Sequence, residues 1–78
     1  MENVLLIFGG MSYEHDISIV TASQIYNKTR LENYNIVPLY ISKTNRFFVY
    51  KSAKFNLKDF ANFDEQNILK CFKYLSHI

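Results

Sequence analysis

Val4-Leu5-Leu6-Ile7-Phe8-Gly9-Gly10-Met11-Ser12-Tyr13-Glu14-His15-Asp16 runs five apolar residues straight into two glycines. A short, unbroken apolar run stopped by glycine suits a strand covered on both faces, as in a parallel sheet. Downstream, Ile19, Ala22, Ile25 and Tyr26 recur at helical spacing, with Ser18, Ser23, Lys28 and Arg30 free for wetter positions. The spacing predicts a helix from about Asp16 to Arg30. Asn33-Tyr34-Asn35 makes a turn, and Ile36 to Ile41 is again apolar and partly β-branched. Strand, helix, strand is the order of a right-handed βαβ unit.

Pro38 constrains the second strand, because proline has no N–H for the ladder. That strand must lie at an edge, carry a bulge, or turn the bare position away from its neighbour. Lys43-Thr44-Asn45 reads as a turn into Arg46-Phe47-Phe48-Val49-Tyr50, which can fold back as an antiparallel ribbon. After Lys51 the pattern is mixed. Ile68, Leu69, Phe72 and Leu75 then fall at helical spacing behind the acidic Asp64-Glu65, which predicts a closing helix with a favourable negative first turn. The expected architecture is therefore α/β: a partial Rossmann-like, three-layer domain with a βαβ unit, an added ribbon strand and a C-terminal helix.

Composition narrows the function classes. At 78 residues there is room for one small domain, and with 49% hydrophobic residues it is far from a disordered composition. The nine Lys and Arg are spread from Lys28 to Lys73 with a net charge of only +2, so no basic face is expected and nucleic acid is not an expected partner. Cys71 is the sole cysteine, which rules out an intrachain disulfide and a cysteine zinc cluster. Its place among helically spaced apolar residues favours a core position over a nucleophile. The longest apolar run is far below the roughly 20 residues of a membrane span, and no secretory leader pattern is present, so a cytoplasmic location without a membrane partner is expected.

In an open α/β sheet, ligands bind beyond the carboxyl ends of the strands, which singles out Gly9 to Asp16. Gly9 and Gly10 permit a tight turn and close approach of a ligand. The loop lacks the G-x-G-x-x-G spacing of a dinucleotide site and the Gly-Lys pair of a phosphate loop. Glu14 and Asp16 would repel a phosphate and attract a cation such as a substrate ammonium. Each residue also has a purely structural explanation. Acidic side chains in a first helical turn favour the macrodipole, Ser12 suits a cap or turn, and His15 suits a solvated loop. Adjacent Glu14 and His15 do not have metal-ligand spacing on a helix, so no metal is expected here.

From Val4 to Ser18 the chain closely resembles the opening of D-alanyl-D-alanine ligases: an apolar strand, G-G-x-S-x-E-H, then an acidic residue, an aliphatic residue and a serine. The likeness continues through Ala22, Tyr34 to Ile41 and Arg46 to Tyr50, and is loose after Lys51. It implies that residues 1–78 are the N-terminal part of the first domain of an ATP-grasp enzyme. Such an enzyme phosphorylates one D-alanine and lets the amine of a second attack the acyl phosphate, for peptidoglycan synthesis. By the same resemblance, Glu14 belongs to the network that holds the ammonium of the first D-alanine. It is thus the candidate catalytic-site and substrate-binding residue, with Ile17 near the substrate methyl and Gly9, Gly10 and Ser12 shaping the loop. The family's H-G-x-x-G-E-D-G motif, the ATP-grasp lysines and arginine and the acidic metal ligands do not occur in this sequence. ATP and Mg2+ are accordingly expected as cofactors of a full-length family enzyme, with none bound by this segment, and the chain alone is expected to be inactive. Homodimers built on first-domain surfaces are common in the family, which makes a homodimer a further expectation. Two alternatives stand beside this reading: a small noncatalytic α/β binding or assembly module, and a segment of a D-alanine–D-lactate or D-alanine–D-serine ligase.

Overall fold

The computed structural model describes residues 2–77 and orders six elements. They are β1 (Asn3–Gly9), α1 (His15–Arg30), β2 (Asn35–Ile41), β3 (Arg46–Tyr50), α2 (Leu57–Ala61) and β4 (Phe72–His77). The strands form one sheet in the order β1-β2-β3-β4, parallel between β1 and β2 and antiparallel thereafter. The expected βαβ unit is thus present, and Arg46–Tyr50 does fold back on β2 through the turn at Lys43-Thr44-Asn45, where Asn45 takes a φ of 66°.

Pro38 sits in an interior strand, and the backbone shows how it is tolerated. Asn35 N–H donates to Glu2 O and Ile41 O accepts from Gly10 N–H, so the odd-numbered residues of β2 face β1. Position 38 therefore faces β3, and the β2–β3 ladder runs only from Leu39 to Ile41. The missing donor falls just beyond the end of that ladder, so no bond to β1 is lost.

Alternation along the strands puts Phe8, Tyr40, Phe48, Tyr50 and Phe72 in the core, where Ile19 and Ala22 of α1 and Phe60 of α2 meet them. The rings pack in tilted and edge-to-face pairs: among the latter, Tyr40 lies 5.1 Å from Phe60 and 5.0 Å from Phe63, and Phe60 lies 5.3 Å from Phe72. Phenylalanine and tyrosine thus supply the bulk that aliphatic side chains supply in a larger domain.

Three expectations need correction. The closing helix is replaced by β4, because Phe72 and Tyr74 obey strand period and pair across β3 with Tyr50 and Phe48. The free edge of β3 offered a partner that helical spacing of Ile68, Leu69, Phe72 and Leu75 could not reveal. Asp64 instead caps the Gln66 N–H, while Glu65 pairs with Arg46 at 3.1 Å and hydrogen-bonds Thr44, tying the β2–β3 turn to the segment before β4. Second, the α/β class stands, but both helices of the described residues lie on one face, so the sheet has two layers rather than three. Third, β1 is not covered on both sides: it is an edge strand whose Leu5 and Ile7 are 58% and 56% exposed. Helix α2 was not foreseen. Its signal is Asn56, whose Oδ1 accepts from the Lys58 N–H as an N-cap.

Phe48 is among the most deeply buried side chains, so Phe48→Ala should cost about 3–5 kcal/mol, a loss comparable with the whole stability of so small a domain, as denaturant titration would show. The core also sets an alkaline limit. Burial, followed by the hydrogen bond to Asp59, pushes the Tyr50 phenol up to about 12, and burial with the nearby Asp16 and Glu65 carboxylates pushes Tyr40 higher still. The unfolded chain, with phenols at their ordinary 10.0, releases protons first. Stability should therefore be intact below pH 10 and fall as pH rises from there through 12, with tyrosinate absorbance and loss of circular dichroism appearing together.

Candidate substrate-loop site

The site grows from the carboxyl end of β1. Gly9 and Gly10 take φ values of 94° and 101°, a region that L side chains rarely enter. At Gly9 there is no space either, since a Cβ would run into the Ile41 carbonyl and stand 3.1 Å from the Tyr40 ring. Around Gly10 the space is open. The bend is held by Gly10 N–H donating to Ile41 O at 2.7 Å and by Gly9 N–H donating to Ser18 Oγ at 2.9 Å, which ties the strand end to the first turn of α1.

His15 occupies the centre of this bend, contrary to the solvated loop position expected for it. It is 4% exposed, with Nδ1 2.6 Å from Gly10 O and Nε2 2.9 Å from Tyr40 Oη. A carbonyl can only accept, so Nδ1 carries a proton and donates to Gly10 O, while Nε2 and the Tyr40 hydroxyl share the second hydrogen bond. The ring is thereby satisfied on both sides and serves as a buried brace. Its signal in the sequence is its pairing with Tyr40, 25 residues away, which local pattern cannot supply.

Ser12 behaves as a turn residue: its Oγ accepts from the Glu14 N–H at 3.0 Å and its carbonyl from the His15 N–H. Two N–H groups at the mouth of α1 are therefore already engaged. Glu14 is the N-cap residue of α1, yet its carboxylate makes no capping hydrogen bond. It lies exposed at the lip of a groove of about 280 Å³ formed by β1 and α1, lined also by Phe8, Ile17 and Ser18. Ile17 is 67% exposed on the same groove. Gly9, Gly10, Ser12, Glu14 and Ile17 thus share one end of the sheet.

A larger cleft of about 580 Å³ opens on the other flank of α1, between Asp16, Ser42, Lys43 and Phe60. Asp16 faces this cleft, so the two loop acids point to different sides of the helix. Among the described residues, no three His, Cys, Asp or Glu side chains gather into a metal-ligating group, and no helix is long and apolar enough to cross a membrane. The loop's acidic character and its engaged N–H groups do not fit a triphosphate. Cys71 is half-buried against the aromatic core, where burial and the Asp59 carboxylate raise its thiol pKa, which suppresses the thiolate.

Residues 3–71 match the family described as D-ala D-ala ligase N-terminus. The chain belongs to this family. It is 40% identical over 65 residues to the D-alanine–D-alanine ligase of Thermosipho melanesiensis, covering 83% of this chain and 18% of that one. The corresponding ligase of Caldicellulosiruptor bescii is 33% identical over 69 residues, 88% of this chain and 18% of the relative. Among solved structures, the D-alanine–D-alanine ligase of Helicobacter pylori superposes with a TM-score of 0.63 at 25% identity, covering 99% of this chain and 27% of that one. The VanG D-Ala:D-Ser ligase of Enterococcus faecalis shares the fold, with a TM-score of 0.65 at 23% identity over 78% of this chain and 17% of that one. The ligase N-terminus described here therefore spans about a fifth of the length of the curated relatives it matches.

Steric and conformational demands separate the two glycines of this ligase N-terminus. Gly9→Ala should destabilise the fold by several kcal/mol, through a left-handed backbone and a clash with main chain, whereas Gly10→Ala should cost about 1 kcal/mol from backbone strain alone. Paired thermal or urea melts would measure the difference, and equal losses would contradict the close approach at Gly9.

Proposed function

We propose that this chain is the N-terminal substrate-binding segment of an ATP-dependent ligase that joins two D-alanines through an acyl phosphate in peptidoglycan synthesis. The observation that supports this reading most is the Glu14 carboxylate. It is left uncapped at the lip of the β1–α1 groove, beside Ile17 and at the carboxyl end of the first strand, in a chain whose family is that of the ligase N-termini. A carboxylate there can receive an amino-acid ammonium, while Ile17 offers an apolar surface suited to a methyl group.

In this reading Glu14 fixes the first D-alanine by a charge-assisted hydrogen bond and takes no part in bond making. The double-glycine bend and its His15 brace hold the carboxylate in place. ATP and Mg2+ would supply the phosphoryl chemistry from parts of the enzyme beyond this segment, and use of ATP agrees with a cytoplasmic location. The curated relatives are named for D-alanine as the second substrate, which favours it over D-serine or D-lactate.

A chimera in which this chain replaces the matching segment of the Thermosipho melanesiensis ligase should hydrolyse ATP in a D-alanine-dependent manner. Within it, Glu14→Gln should raise the KM for D-alanine roughly ten- to a hundredfold, the value of one charge-assisted hydrogen bond, and leave the KM for ATP unchanged. Unaltered handling of D-alanine would remove Glu14 from the site. The chain by itself, mixed with ATP, Mg2+ and D-alanine, should release no phosphate above background.

A further inference from the structure

One residue fastens both ends of the loop that carries Glu14. At the loop's start Gly9 N–H donates to Ser18 Oγ at 2.9 Å, and at its end Glu14 O accepts from Ser18 N–H, also at 2.9 Å. The second of these is an ordinary helical bond to the residue four places back. The first is not, since a serine inside a helix more often turns its hydroxyl on its own helix's backbone. Here the oxygen reaches nine residues back, to the last residue of β1.

The direction of Gly9 N–H explains why a side chain must supply this acceptor. Gly10 N–H and Glu2 O bond across the β2 side of β1, so alternation sends Gly9 N–H to the opposite edge, where the described residues place no strand. Gly10 is held from the β2 side, by Ile41 O and by the His15 ring. Gly9 N–H and Glu14 O are held from the α1 side, both by Ser18. The bend is thus pinned to two elements, and the pin on α1 carries Glu14 O with it.

Seating the helix does not need this hydroxyl. Ile19 and Ala22 of α1 are buried in one core cluster with Phe8, and they dock the helix on the sheet. Ser18 is half-buried at the wall of the groove that Glu14 and Ile17 also line. What its hydroxyl adds is the offset between the end of β1 and the first turn of α1, which sets how far the Glu14 carboxylate stands from the strand end.

We propose that Ser18 is a positioning residue for the amino-acid site, acting through the loop rather than by touching substrate. The assignment rests on the ligase reading of Glu14. A loop closed at both ends on one residue has fewer conformations to lose when an ammonium binds, so the bond to Glu14 forms at lower entropic cost. Without the hydroxyl, the Gly9 end is free to move on two glycines, the residues with the most backbone freedom, and binding must order the loop as well.

The chimera with the Thermosipho melanesiensis ligase separates positioning from folding. Ser18→Ala should raise its KM for D-alanine roughly three- to tenfold, the value of one net hydrogen bond, with the KM for ATP unchanged. Ser18→Thr keeps the hydroxyl and should return the KM for D-alanine to near the parent value. In the 78-residue chain, Ser18→Ala should speed amide exchange at Gly9 by about tenfold, while Gly10, bonded to Ile41 O, keeps its protection. Given a parent chimera that hydrolyses ATP in response to D-alanine, three results overturn the proposal: an unchanged KM for D-alanine, a rise shared by D-alanine and ATP, or a threonine variant as poor as the alanine one. Unaltered exchange at Gly9 overturns it too. A parent chimera with no such hydrolysis overturns the ligase reading first, and this assignment with it.

Discussion

A single hydrogen-bonded relay, from the Gly10 carbonyl through the His15 ring to the Tyr40 hydroxyl, holds the end of β1, the start of α1 and the middle of β2 together. All three groups are largely removed from water, where an unsatisfied partner costs more than the bond itself contributes. The relay therefore dictates the shape of the double-glycine bend. It fixes the point where α1 begins, and Glu14 and Asp16 flank that point.

Around that relay the core is built almost wholly of rings. Phe8, Tyr40, Phe48, Phe60 and Phe72 meet one another at 5.1 to 6.4 Å, and two phenol hydroxyls find polar partners at the margin of the cluster. Large rings bury much area per residue, which suits a chain that can spare few positions for a core. The same choice makes the fold sensitive to alkali, since every buried phenol must stay protonated. It also explains why the polar network around Ser42, Thr44, Arg46 and Glu65 lies at the sheet's rim, where charges keep contact with water.

The side of the molecule away from this core has a different character. Leu5 and Ile7 are apolar and uncovered, and β1 ends the sheet although its composition is that of an interior strand. The family match gives the context: the relatives carry about four-fifths of their length outside the segment that this chain matches. The border of β1 and α1 is where Glu14 and Ile17 line one groove.

The sequence alone determined the elements whose cause is local. Val4 to Phe8 had to be extended and had to stop at Gly9-Gly10, α1 followed from apolar spacing, and the turn at Lys43-Thr44-Asn45 followed from its residue types. The loop's acidic character and its family resemblance were equally plain. Tertiary structure decided what depends on partners distant in sequence. Phe72 and Tyr74 became strand residues because β3 had a free edge, which outweighed a helical spacing of equal merit. His15 became a buried brace because Tyr40 lies opposite it, and Pro38 became tolerable because the ladder to β3 begins only at Leu39, one residue further along. Local periodicity records which faces a segment can bury, whereas the neighbour that buries them is chosen only when the whole chain has closed on itself.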